Sequence, residues 1–235
     1  MEQEKTEEND NELVLGIDDA GRGPLIGPMV LAGCLVTRKL EQEFKKLGVR
    51  DSKTLTDARR EFLAGEIRKK ALAFHVVLSH PYEIDARASA GLNLNKIEAI
   101  KSAEIINKLT ENIHEQVRVI IDCPSTNRES WKNYVLKHII KKDNLILACE
   151  HKADRDYAAC SAASILAKSE RERQVRELKK KIGKDFGSGY TSDPTTIEFL
   201  NKHGKEHKKD GIFRESWATF QNHKKTKEQK KLGEF

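Results

Sequence analysis

Two apolar runs far apart in the chain end in aspartate: LVLGID closes on Asp18 and VRVIID closes on Asp122. Each has the length and content of a buried strand rather than of a helix. A carboxylate at the end of a buried strand is costly unless something compensates its charge, and here a second one, Asp19, follows the first directly. In α/β sheets ligands collect beyond the carboxyl ends of the strands, so two such ends predict one acidic spot. A third apolar run, LILACE, is followed four residues later by Asp154 at the start of a helical stretch. Four carboxylates with no histidine or cysteine among them form a hard-oxygen donor set, suited to Mg²⁺ or Mn²⁺ rather than zinc. Two such ions side by side are a standard device for cutting a phosphodiester. Taken singly, Asp154 also reads as a helix cap and Asp19 as a surface residue; it is the four together, on a basic chain, that favour a metal-dependent nuclease.

The remaining patterns place these strands in an α/β sheet sandwiched by helices. PMVLAGCLVT (Pro28–Thr37) and Ala71–Ser79 read as further strands, Val117–Asp122 and Leu145–Glu150 as the later ones. A helix runs to about Lys70 after the polar loop DSKTLT, and apolar residues at Leu94, Ile97, Ile100, Ala103, Ile106 and Leu109 mark a long amphipathic helix. Helices are also expected over Arg128–Ile140, over the long stretch that begins at Ala153, and over Arg214–Lys227. Asp193 and Pro194 read as the cap and first residue of another. The expected organisation is an acidic, disordered N-terminus (1–11), a catalytic domain (12–185), a helical C-terminal subdomain (186–222) and a basic flexible tail (223–235).

Charge supports a polyanionic partner. Lys and Arg number 43 against 37 Asp and Glu, a net charge of +6. Residues 201–231 alone hold ten basic and four acidic residues, the same surplus. Cys34, Cys123, Cys149 and Cys160 sit in apolar segments without a CxxC pair, so they read as buried thiols in a reducing compartment. No run approaches the length of a membrane span, and the acidic N-terminus lacks a signal-peptide core. The expectation is a cytoplasmic monomer with no membrane partner.

Gly21-Arg22-Gly23 follows the aspartate pair at once. Glycine lets backbone approach a ligand without a Cβ in the way, so this turn could read a small group such as a hydroxyl through its peptide groups; by itself it is also an ordinary tight turn. Gly187-Ser188-Gly189-Tyr190 is a second glycine-bracketed loop, presenting a ring that could stack on a sugar or base, or close the last helices as a core residue.

With GIDDAGRGPLIGPMV, DSKTLT, GLNLNKIEA, IDCPS, HKADRDYAACSAASILAKSERER and GSGYTSDPTT in this order from Leu13 to about Phe220, the chain resembles type 2 ribonucleases H, specifically archaeal ribonuclease HII. The resemblance implies a ribonuclease H-like mixed sheet flanked by helices, with a helical C-terminal part. It implies hydrolysis of the RNA strand of RNA–DNA hybrids and cutting 5′ of single ribonucleotides in duplex DNA by two-metal-ion catalysis, leaving a 3′-hydroxyl and a 5′-phosphate. That activity would serve primer removal and ribonucleotide excision repair. The family's acidic quartet falls on Asp18, Asp19, Asp122 and Asp154. Its ribose 2′-hydroxyl contact falls on Gly21, Arg22 and Gly23, its sugar-packing tyrosine on Tyr190, and a phosphate contact on Lys53. The family usually has Glu where this chain has Asp19, which keeps the charge and shortens the reach by one methylene. The alternative reading is therefore a hybrid-binding protein whose cleavage is weakened or lost at that position.

The last seven residues, QKKLGEF, space Gln229, Leu232 and Phe235 as Q-x-x-L-x-x-F. This resembles the clamp-binding peptide of replication and repair enzymes, lacking its second aromatic, and implies that the tail tethers the protein to a sliding clamp.

Overall fold

In a computed structural model of the chain, residues 10–50 and 55–224 are described. They form a five-stranded sheet with helices flanking it. In chain order the strands are β1 (Leu13–Ala20), β2 (Met29–Thr37), β3 (Ala73–Ser79), β4 (Val117–Asp122) and β5 (Leu145–Glu150). The helices are α1 (Arg38–Leu47), α2 (Asp57–Lys70), α3 (Pro81–Ser89), α4 (Leu94–Thr110), α5 (Arg128–Leu136), α6 (Ala153–Asp156), α7 (Ala158–Ile182) and α8 (Pro194–His203). The sheet order is β3-β2-β1-β4-β5, and the sheet is mixed, as expected. β4 lies parallel to β1 on one side and to β5 on the other. Strands buried on both faces read as near-continuous apolar runs, as in LVLGI of β1 and VII of β4.

Two compact units make up the chain. The first holds the chain up to Asp19, Leu31–Val77 and Glu98–Ser169. Its core includes Leu15, Ile17, Ile105, Ile120 and Leu166, each at most 1% exposed. α7 meets β1 at Gly16: a Cβ there would stand 2.1 Å from the carbonyl carbon of Ala159, so only glycine admits the helix backbone to the strand. The thiol of Cys160 donates to the Ile120 carbonyl at 3.2 Å, and buried Glu41 accepts the Ala159 N–H at 3.1 Å. The second unit holds Ala20–Val30, Leu78–Ile97 and the chain from Glu170 onward. Its core gathers Leu25, Ile26, Phe186, Phe199, Phe213 and Phe220. Asp193 caps α8 by accepting the Thr195 N–H at 2.9 Å, with Pro194 in the first helical turn, as expected.

Several boundaries differ from those expected. β1 runs on to Ala20, so both Asp18 and Asp19 lie within the strand. The long helix expected from Ala153 is two, because Tyr157 leaves helical geometry at φ −119°, ψ 123°. α1 starts where a strand was expected simply to end, since Thr37 turns from last strand residue into N-cap and accepts the Leu40 N–H at 3.2 Å. α3 follows β3 almost at once, with Pro81 in its first turn. α5 stops at Leu136 rather than Ile140. The last described helix starts at 218 rather than Arg214, because the chain at Phe213 forms an isolated antiparallel bridge with Ile26 and the turn after it is held by side chains. Among the described residues no helix is long and apolar enough to cross a membrane. Lys53, Gln229, Leu232 and Phe235 lie outside the described residues.

Candidate active site

The parallel register delivers the first two acidic segments to the same end of the sheet. Ile17 pairs with Ile121, and the same offset carries Asp18 to Asp122. Asp18 is 6% exposed, and its carboxyl is held well above the ordinary carboxylate range, first by burial, then by the charges of Asp19 and Asp122. Hydrogen bonds from the Ser164 side chain and from the Asp19 N–H, the latter at 2.7 Å, oppose that shift without cancelling it.

Asp154 reaches this region by a different device. After β5 the chain turns through Lys152, whose φ of 60° is the one left-handed non-glycine conformation among the described residues. Non-glycine residues seldom adopt it, and where they do the surroundings over-determine it. The turn aims the Ala153 N–H at the Asp122 carboxylate, 3.0 Å away. Asp154 is the next residue, 4% exposed, with its own carbonyl accepting the Ser161 hydroxyl at 2.5 Å. It is not the cap of α6, whose N-cap is Lys152. Among the described residues no three Asp, Glu, His or Cys side chains stand at finished ligand spacing. The donor set is nonetheless all carboxylate oxygen, and the crowding at Asp18 is what a hard divalent cation relieves.

The second unit brings the other predicted residues together. Gly21 is buried with φ +76°, and a Cβ on it would come within 2.8 Å of the Pro28 carbonyl oxygen. Gly23 is exposed, and a Cβ there would meet only the Tyr190 ring, at 3.6 Å. Arg22 hydrogen-bonds Asn95. The loop of Tyr190 is joined to this turn, as the Gly189 carbonyl accepts the N–H groups of Leu25 at 2.8 Å and Ile26 at 3.2 Å. Arg171 packs beside the space left by the missing Gly21 side chain, stacks over the Tyr190 ring at 4.9 Å and donates to the Ser188 carbonyl at 2.6 Å. Tyr190 is thus neither a core residue nor a free one: it is half-buried, near Gly23 and in contact with the Arg171 guanidinium.

The sequence profile of ribonuclease HII matches residues 15–220. This chain belongs to the ribonuclease HII family. Ribonuclease HII of Methanothermobacter thermautotrophicus is 42% identical over 213 residues, covering 90% of this chain and 98% of that protein. Among solved structures, ribonuclease H2 from Pyrococcus horikoshii superposes with a TM-score of 0.79 at 35% identity, covering 91% of this chain and 98% of that one. The ribonuclease HII of Archaeoglobus fulgidus, solved in complex with PCNA, gives a TM-score of 0.76 at 39% identity over 87% of this chain and 95% of that one. The chain is therefore a ribonuclease H endonuclease with the ribonuclease H-like fold, of a family that depends on divalent metal.

Residues that the sequence did not single out also hold these side chains within each unit. Ser161 and Ser164 lie in the run AACSAAS of α7, where small side chains let the helix start press against the strands. That run was the available signal. Lys152 and Arg171 gave none, since a lysine and an arginine in charged segments look like solvated surface.

Proposed function

We propose that this ribonuclease HII hydrolyses the RNA strand of RNA–DNA hybrids and cuts 5′ of single ribonucleotides in duplex DNA, leaving a 3′-hydroxyl and a 5′-phosphate. The observation that carries the reading is the buried carboxyl of Asp18, crowded by Asp19 and Asp122. Such a group is held at a folding cost unless it serves a cation. Asp18, Asp19, Asp122 and Asp154 would hold two divalent ions, Mg²⁺ or Mn²⁺. Bound there, such ions supply an activated water and charge stabilisation for the leaving oxygen. Ser164 fixes the Asp18 carboxylate, and the Lys152 turn fixes Asp122 and Asp154 as a pair.

Selection for ribose would lie with Gly21, Arg22 and Gly23. Exposed Gly23 leaves its backbone open to a sugar, and Tyr190 beside it offers a ring to the neighbouring nucleotide. Lys53 would contact phosphate. The natural setting would be primer removal and ribonucleotide excision in the cytoplasm, with the protein acting as a monomer. The Archaeoglobus fulgidus relative solved with PCNA supports a sliding-clamp partner, engaged through Gln229, Leu232 and Phe235.

The test is cleavage of a duplex carrying one ribonucleotide, with Mg²⁺, with Mn²⁺ and with EDTA. Cutting 5′ of the ribonucleotide, supported by either ion and abolished by EDTA, is expected. Cutting elsewhere, or tight binding without cutting in either metal, would overturn it, the latter in favour of a hybrid-binding protein.

A further inference from the structure

Among the described residues the largest fully buried side chain is a cation, Arg214, at 0% exposure. Its guanidinium is spread over one short stretch of backbone nearly two hundred residues earlier. Nη1 donates to the Arg22 carbonyl at 2.6 Å and Nη2 to the Gly21 carbonyl at 2.5 Å. Nε and Nη2 both donate to the Gly27 carbonyl, at 3.2 and 3.1 Å. The indole of Trp217 lies 5.0 Å from the guanidinium carbon and donates its own N–H to the Gly23 carbonyl at 3.3 Å. Every carbonyl of the Gly21-Arg22-Gly23 turn is therefore taken by Arg214 or Trp217. The backbone at both ends is fastened as well. Phe213 bridges Ile26, and the Arg214 N–H donates to the Leu25 carbonyl at 2.9 Å. On the other side Asp85 accepts from the N–H groups of Glu215 at 2.8 Å and Ser216 at 3.0 Å, and from the Ser216 hydroxyl at 2.5 Å.

Fixing a peptide's carbonyl fixes the plane of that peptide, and hence the direction of the next residue's N–H: the Gly21 and Arg22 carbonyls set the N–H groups of Arg22 and Gly23, while the Gly23 carbonyl, followed by Pro24 with no N–H, anchors the end of the turn. A planar five-donor fork can satisfy three carbonyls at once, whereas a lysine ammonium offers one compact charge on a flexible stem. We infer that Arg214 and Trp217 are positioning residues for ribose selection: they hold the Gly21-Arg22-Gly23 turn by its carbonyl side, so that its remaining face is set for the 2′-hydroxyl. This rests on the reading of that turn as the ribose contact. Neither side chain touches the sugar on this account; both act through the turn.

The measurement is anisotropy titration, in EDTA to prevent cleavage, of two duplexes of one sequence, one all-DNA and one with a single ribonucleotide. The ratio of the two affinities is the readout. Gly23→Ala tests the turn itself, since its methyl meets only the Tyr190 ring inside the protein and faces outward otherwise. Arg214→Lys is expected to lower the preference for the ribonucleotide about fivefold, the weight of roughly one net hydrogen bond, and to leave all-DNA affinity unchanged. Trp217→Phe, which keeps a smaller ring at this half-buried position and loses the N–H donor, is expected to lower it about twofold. If Gly23→Ala lowers the ratio while Arg214→Lys and Trp217→Phe leave it alone, the inference is wrong and the ribose reading of the turn stands. If Gly23→Ala also leaves it alone, the ribose reading fails and the inference with it. Equal loss of both affinities in Arg214→Lys means a merely structural arginine and overturns the inference. Should Arg214→Lys not fold, Trp217→Phe decides alone, and an unchanged ratio there overturns it.

Discussion

The carboxylate of Asp122 accepts the backbone N–H of Ala153 at 3.0 Å, tying the end of β4 to the turn that carries Asp154. On the proposed function this one side chain has two separable duties, an acceptor for the turn and a charge for a cation. Asp122→Asn keeps an acceptor oxygen and loses the charge. Cleavage should be abolished, while stability and hybrid binding, which rests largely on phosphate contacts, change little. Asp122→Ala removes the acceptor too, and should cost about 1 kcal/mol of stability besides, as loss of a cap does. Steady-state cleavage and urea unfolding of the two variants check both halves. Wild-type turnover in the Asn variant would remove Asp122 from the site.

Asp18 makes a prediction about pH. Its carboxyl is raised by burial and by two neighbouring carboxylates, so the folded state holds the proton more tightly than the unfolded chain does. Stability from this group is then present at low pH and falls as pH rises from the unfolded value through the raised folded one. At neutral pH without metal, Asp18→Asn should stabilise the protein by about 1 kcal/mol, a few degrees in Tm. The gain should shrink as the pH is lowered. Thermal scans in EDTA across pH read this directly, and a variant less stable than wild type at neutral pH would contradict the crowding.

The carboxylate at position 19 is that of Asp rather than of the longer Glu. A carboxylate one methylene shorter holds an ion less closely, and Mg²⁺ tolerates imperfect octahedral geometry poorly. Mn²⁺ should therefore support faster cleavage than Mg²⁺, and Asp19→Glu should narrow the gap. An unchanged ratio of rates in the two metals would show that the side-chain length at Asp19 does not set metal preference.

How much of this was legible in the sequence follows from which interactions are local. LVLGID and VRVIID announce strands ending in acid because burial on both faces writes itself as an apolar run. The bounds of β4 and β5 are those read from the sequence. The break at Tyr157 and the left-handed Lys152 were not legible; the Lys152 turn goes with a bond from the Ala153 N–H to Asp122, thirty-one residues away. Arg214 was read as the start of a helix and part of a basic surplus. Its role depends on carbonyls in Gly21, Arg22 and Gly27, and no periodicity records a contact at that separation.

Gly16 was legible only as a gap in an apolar run, yet the packing of α7 on β1 depends on it. A methyl there would stand 2.1 Å from the Ala159 carbonyl carbon and 2.2 Å from the Cys160 nitrogen, both backbone atoms. No rotamer change relieves such a clash, so the start of α7 must move. Gly16→Ala should cost about 3 kcal/mol, at the upper end for overpacking. Because Ser161 and Ser164 ride on the displaced helix, cleavage should fall even in the folded fraction. Urea unfolding with rates normalised to folded protein tests this, and a loss under about 0.5 kcal/mol would mean that α7 is free to shift.

The tail prediction concerns residues outside the described part of the chain. In QKKLGEF, Leu232 and Phe235 are the only apolar side chains, three residues apart, so one helical turn would present them together. A short peptide that orders on binding loses part of its interaction energy to that ordering. Affinity for the clamp is therefore expected on the micromolar scale, about −8 kcal/mol. The measurement is a calorimetric titration of the cognate sliding clamp with the full chain and with a chain ending at Glu228. The full chain should bind and the shortened chain should not, while both cut a free ribonucleotide-containing duplex at the same rate, because tethering adds local concentration rather than chemistry. Equal binding by the two chains, or binding by neither, would sink the tether, and a shortened chain that also cuts slowly would instead place the tail on the substrate.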